Sequence, residues 1–96
     1  MFKPSPRYVA RILLVLNSID RINLSNLSMK SRVNHQRCRD HIIWLVSEEL
    51  VSPSFHSSRK YFEITPRGRD YIERVLELSR MTASNSANNL YVQNVN

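Results

Sequence analysis

Apolar side chains recur at helical spacing from the eighth residue onward: Tyr8, Ile12, Val15, Leu16 and Ile19 share one face of a 3.6-residue repeat. Ser5-Pro6 ahead of them reads as an N-cap followed by proline at the first helical position. The spacing predicts a first helix from Pro6 to Asp20. Arg21-Ile22-Asn23 leaves room for a strand of one or two residues. Asn23 or Ser25 can cap a short second helix through Lys30, with Leu24, Leu27 and Met29 turned inward. Ser31-Arg32-Val33 reads as a tight turn, and Asn34 as the cap of a third helix running through Ser47 to Glu49. Along it Cys38, His41, Ile42 and Leu45 fall on one face. Gln36, Arg37, Arg39 and Asp40 project from the other side, with Ile43 and Trp44 flanking the apolar face.

The period then changes. Leu50-Val51-Ser52 can begin a strand, and Pro53 suits an edge position. Tyr61-Phe62-Glu63-Ile64-Thr65 alternates, with Phe62 and Ile64 on one side. The polar stretch from His56 to Lys60 between them makes a hairpin with a basic tip. Thr65-Pro66 repeats the cap-plus-proline signal and opens a fourth helix ending at Met81. Its apolar positions, Tyr71, Ile72, Val75, Leu76, Leu78 and Met81, spread well beyond the stripe of about 100° found on an ordinary surface helix. One side can close the core of the domain. The other needs cover, and a second copy of the same helix is the simplest source. Residues 82–96, rich in Asn and Ser, are expected to form a flexible polar tail after a domain spanning residues 1–81.

With 96 residues the chain has room for one domain. Its 14 Lys and Arg outnumber 8 Asp and Glu, for a net charge of +6. The excess is clustered. Lys30, Arg32, Arg37 and Arg39 precede any acid in the 22–50 stretch, and Arg59-Lys60 is followed by Arg67 and Arg69. Basic patches at separate points of a small domain suit a polyanion. No apolar run approaches the 18 residues or so of a membrane span, and the first seven residues lack the order of a signal peptide, so a cytoplasmic protein with no membrane partner is expected, nucleoid-associated where the polyanion is DNA.

Enzyme chemistry finds little footing. A single glycine excludes a glycine-rich phosphate loop, and no spacing marks a catalytic triad. Cys38 and His41 share a helix face, but His35 and His56 fall on separate surfaces, so neither a metal nor another cofactor is expected. Cys38 reads as a small core residue and Trp44 as a packing anchor.

The order helix, short strand, helix, helix, hairpin, helix is that of a winged helix-turn-helix, an α+β but mainly α fold: three-helix core, β-hairpin wing and C-terminal fourth helix. Tyr61-Phe62-Glu63-Ile64-Thr65-Pro66-Arg67-Gly68-Arg69 resembles the Y-x-I-T-x-x-G segment at the second wing strand of winged-helix regulators, including MarR-like and PadR-like proteins. Trp44 to Val51 resembles the L-x-x-x-G-L-I end of their recognition helix, with Glu49 where those proteins usually carry glycine. Met29 to Ser52, with Ile64-Thr65 and Gly68, is similar to small archaeal winged-helix DNA-binding proteins that dimerise through a C-terminal helix.

That resemblance implies a transcriptional regulator, sequence-specific or architectural, bound to double-stranded DNA as a homodimer. The recognition helix, residues 34–48, would enter the major groove. The wing, residues 52–61, would lie on the flanking backbone or minor groove. Arg37 and Arg39 can offer forked donors to guanine or phosphate, Gln36 can pair with adenine, and Asp40 can accept from cytosine or form a local salt bridge. Ser31, Asn34 and the first amides of the helix can hold a phosphate, with Lys30 and Arg32 on the backbone and His35 among the DNA-binding residues. His56, Ser57, Ser58, Arg59 and Lys60 form the wing contact, and Arg7 and Arg11 can add flanking ones. Tyr71, Val75, Leu76, Leu78 and Met81 are the expected dimer interface. Two other readings fit the same residues: a winged helix that binds another protein, and one that binds RNA.

Overall fold

In the computed structural model, the backbone is described for residues 1–95 and the side chains for residues 1–81. The elements run α1 (Pro6–Ser18), α2 (Leu24–Ser31), α3 (His35–Ser47), β1 (Val51–His56), β2 (Arg59–Ile64) and α4 (Pro66–Val95).

Caps set most of these boundaries. Ser5 Oγ accepts the Tyr8 N–H at 3.4 Å and Pro6 opens α1. Asn23, of the two candidates, caps α2 through the Asn26 N–H at 2.8 Å. Thr65 Oγ1 accepts the Gly68 N–H at 2.9 Å at the start of α4. α1 ends at Ser18 rather than Asp20, because Ile19 is already extended and leads the chain toward the sheet. There Ile22 pairs with Phe62 through two backbone bonds, 3.1 and 2.9 Å. That bridge is the short strand expected at residues 21–23. α4 passes the expected end at Met81, in a stretch that has neither proline nor glycine to stop it. The tail expected over 82–96 and the domain boundary before it lie outside the fully described residues.

The C-terminal ends of α2 and α3 both use left-handed residues other than glycine. α3 closes with Glu49 at φ 61°, its N–H on the Val46 carbonyl at 3.0 Å and the Leu50 N–H on the Leu45 carbonyl at 3.0 Å. This pair of bonds is a Schellman closure, with Glu49 in the place glycine usually fills. α2 closes the same way at Arg32, φ 57°, with Val33 N–H on the Ser28 carbonyl at 3.2 Å.

β1 and β2 form one antiparallel hairpin, registered from Val51↔Ile64 to His56↔Arg59. Only Ser57 and Ser58 link them, both at positive φ, 52° and 63°. Such a two-residue turn matches the right-handed twist of the strands. The core lies where α1, α2, α3, the hairpin base and α4 meet. Ile12, Leu13, Leu16, Leu27, Leu45, Val51 and Ile72 are fully buried, each stabilising by roughly 1.5–3 kcal/mol relative to exposure. Gly68 is buried against the Leu50 carbonyl.

Candidate nucleic-acid interface

The buried face of α3, Cys38, His41, Ile42 and Leu45, is the one the spacing predicts. At about 100° per residue the direction opposite it falls on Gln36, Asp40, Ile43 and Ser47. Arg37 and Arg39 therefore stand on opposite flanks. Arg37 leans toward α1, where its Nη1 donates to Tyr8 Oη at 2.6 Å and its guanidinium lies 5.7 Å from the centre of that ring. Arg39 leans toward the hairpin and lines a groove of about 430 Å³ together with Leu24, Ile43, Val46, Pro53 and Lys60. The outward ridge is thus less basic than expected. Gln36 Nε2 donates to Asp40 Oδ1 at 3.1 Å, so Asp40 pairs with Gln36 rather than with an arginine.

The start of α3 also departs from expectation. The amides of Gln36 and Arg37, expected to hold a phosphate, already donate to Asn34 Oδ1, at 2.9 and 3.4 Å. Ser31 is buried, its hydroxyl donating to the Leu27 carbonyl at 2.6 Å, so it faces the core and not a ligand. Lys30, Arg32, His35, Gln36, Arg37 and Arg39 are all exposed.

His41 is a core residue with both ring nitrogens engaged. Nδ1–H donates to the Arg37 carbonyl at 2.6 Å, and Nε2 accepts the Ser5 N–H at 2.9 Å. Phe2 and Tyr8 meet its ring edge-on, at 4.9 and 5.4 Å between centroids. The N-terminal segment is thereby pinned across the middle of α3. Nothing in the spacing signals this tie, because the partners lie 36 residues apart.

In the wing, His56, Ser57, Ser58, Arg59 and Lys60 are exposed. His56 is also held from outside the hairpin. Arg21 Nη1 reaches its Nε2 at 2.6 Å, Ser54 Oγ lies 2.8 Å from the same nitrogen, and the Arg21 guanidinium lies 6.0 Å from the centre of the Tyr61 ring. Arg21 is a wing residue in all but sequence position, and one that the pattern does not single out. Lys60 Nζ sits 5.5 Å from the centre of the Phe62 ring, and Phe55 is 68% exposed on the same strand face.

Among the described residues the ion pairs are Arg67–Glu49 at 3.9 Å and Arg74–Asp70 at 3.2 Å, both involving α4. Among the described residues no carboxylate forms an ion pair with the basic side chains of α2, α3 or the wing. Cys38 is fully buried and its thiol is pushed up to about 11 by that burial, so it is held protonated. No group of three or more metal-ligating side chains occurs among the described residues, and no helix there is long and apolar enough to cross a membrane. On α4, Tyr71, Leu78 and Met81 are exposed, whereas Val75 and Leu76 are half-buried against the core of their own chain.

No protein-family model matches the chain, and no curated protein matches its sequence. Solved structures match its fold. RV1404 from Mycobacterium tuberculosis is 27% identical, with a TM-score of 0.76 over 85% of this chain and 58% of that one. A MarR family transcriptional regulator from Silicibacter pomeroyi is 18% identical, with a TM-score of 0.72 over 76% of this chain and 50% of that one. Sso10a-2, a DNA-binding protein from Sulfolobus solfataricus, is 17% identical, with a TM-score of 0.65 over 88% of this chain and 90% of that one. The chain thus spans only 58% and 50% of the first two but most of the third. The helix-turn-helix of α2 and α3, the hairpin beside it and α4 behind it make the fold a winged helix-turn-helix.

Proposed function

We propose that the chain binds double-stranded DNA as a transcriptional regulator, with α3 in the major groove and the β1–β2 wing on the flanking backbone. The observation that carries this reading is the shared groove of Arg39 and Lys60, which joins the basic flank of α3 to the basic strand of the wing. Six exposed cations, Lys30, Arg32, Arg37, Arg39, Arg59 and Lys60, lie on that helix-turn-helix and wing, while both ion pairs among the described residues involve α4. A phosphate backbone crossing α3 and the wing would neutralise them. Gln36, on the outward ridge, reads a base edge by exchanging its Asp40 bond for one to adenine. The likeness of fold to Sso10a-2, a DNA-binding protein, supports the same reading.

A homodimer through α4 completes the proposal. Leu78 and Met81 are 64% and 56% exposed, and with Tyr71 they offer an apolar surface beside the half-buried Val75 and Leu76. Two copies would present two recognition helices to a two-fold site.

The test is a titration of the full chain against random duplex DNA at 50 and 200 mM salt, beside light scattering for mass. Engagement of six phosphates would lower affinity by about 10³-fold between those salts. Retardation of that kind by a species of dimer mass supports the reading. Absence of retardation at low salt overturns DNA binding, and a clear preference for duplex RNA moves the same surface to that partner.

A further inference from the structure

Four side-chain and backbone groups close a circuit at the α1–α3 junction. His41 Nδ1–H holds the Arg37 carbonyl at 2.6 Å, and its ring meets the Tyr8 ring edge-on at 5.4 Å. Tyr8 Oη in turn accepts from Arg37 Nη1 at 2.6 Å, with the Tyr8 ring 5.7 Å from the Arg37 guanidinium carbon. The Ser5 N–H donates to His41 Nε2 at 2.9 Å and fixes the imidazole from its other edge. An exposed arginine on a helix normally samples many rotamers, and ordering it on a ligand costs that freedom. Here both its backbone carbonyl and its side-chain tip are held. Tyr8 uses one of the five N–H donors of the guanidinium, which leaves others free for a ligand.

We infer that Tyr8 is a positioning residue for base recognition: it holds the Arg37 guanidinium on the α1 flank of the recognition helix, ready to donate a two-pronged contact to a guanine. The inference rests on the DNA-binding reading above. It makes α1 part of the specificity apparatus, although Tyr8 lies 29 residues from Arg37 and outside the helix-turn-helix. It also separates the two arginines of α3. Arg37 is the braced one and turns to sequence readout on a preferred duplex, its charge facing the phosphates on random duplex, whereas Arg39, opening on the groove beside Lys60, serves the phosphates on both.

The experiment compares wild type, Tyr8→Phe, Arg37→Ala and the double variant, all as the full chain. Each is titrated against duplexes selected from a random pool by the wild type, against single base-pair changes in them, and against random duplex. Tyr8→Phe keeps the ring and its packing on His41 and removes only the hydroxyl. It is expected to weaken binding to the selected duplex by about tenfold, the scale of one hydrogen bond to a charged group. Its affinity for random duplex and its melting temperature stay at the wild-type values. The lost discrimination falls at the same base pair as in Arg37→Ala, and Tyr8→Phe adds nothing once Arg37 is alanine. A structural bond alone would not move a single base-pair preference. Wild-type behaviour of Tyr8→Phe beside an impaired Arg37→Ala overturns the inference and leaves DNA binding intact. Independent, additive losses overturn it too, as does a wild type that selects no preferred duplex. A wild type that binds no duplex overturns the DNA-binding reading itself.

Discussion

Gly68 lies so close beneath the carbonyl oxygen of Leu50 that a β-carbon would overlap that oxygen and stand 2.9 Å from Ile64 Cγ1. The same carbonyl accepts the Thr65 N–H at 3.1 Å, and Thr65 Oγ1 donates to the Glu49 carbonyl at 2.7 Å. The start of α4 is thus stitched to the loop that ends α3. Glycine is needed here for proximity, not for a left-handed backbone. Gly68→Ala is expected to cost about 1–3 kcal/mol, the range for overfilling a packed site. The melting temperature then falls by roughly 4–8 °C per kcal/mol in a domain of this size. A melt like that of the wild type would mean that α4 can move off the loop without loss.

Glu49 predicts the opposite sign. At φ 61° it occupies a conformation that costs an L-residue with a β-carbon about 1–2 kcal/mol. Glycine removes that cost and adds about 0.5–1 kcal/mol of chain entropy to lose. Glu49→Gly is therefore expected to stabilise by about 0.5–1 kcal/mol in urea unfolding. The ion pair that it deletes, to Arg67 at 3.9 Å, is exposed on both sides and contributes little. Arg67→Ala, expected within about 0.5 kcal/mol of wild type, isolates that contribution.

Cys38 yields a prediction in pH. Burial raises its thiol from the ordinary 9.0 to about 11, and the Ser31 side chain offsets only part of the rise. As pH climbs, the unfolded chain gives up this proton before the folded one does. The stability tied to it is whole below pH 9 and is lost between pH 9 and about 11. The urea midpoint of the wild type is expected to fall more steeply across that window than that of Cys38→Ala. Equal slopes would show that the thiol titrates alike in both states. At neutral pH the folded chain is expected to resist alkylation, because the thiol is protonated and buried.

On the wing, Arg59→Ala and Lys60→Ala are expected to weaken binding to all duplexes alike, each lowering the logarithmic salt slope by about 1. Arg37→Ala is expected to act unevenly across sequences instead. A loss that depends on sequence in Arg59→Ala would assign the wing a part in reading bases.

The fold was legible because its punctuation is local. Ser5-Pro6, Asn34 and Thr65-Pro66 each announce a helix within two residues, and the face of Cys38, His41, Ile42 and Leu45 follows from spacing alone. The left-handed residues were not legible: Arg32, Glu49, Ser57 and Ser58 all take positive φ without the glycine that would announce it. The site was legible in composition and less so in direction. Exposed basic residues stand where the pattern places them, but the Tyr8–Arg37, Ser5–His41 and Arg21–His56 ties join distant stretches. Periodicity fixes which face a side chain leaves from, and only the fold decides which neighbour it then meets.

The bridge between Ile22 and Phe62 makes the wing a cantilever rather than a hinged flap. Its root is clamped between α1, α2 and the core, and every residue from Phe55 to Lys60 lies exposed beyond the clamp. Length can therefore change at the Ser57–Ser58 tip without touching the root. Each residue added to both strands carries the tip about 3.4 Å further out, so the reach of the wing along a ligand can be adjusted by insertion or deletion while the helical core stays the same.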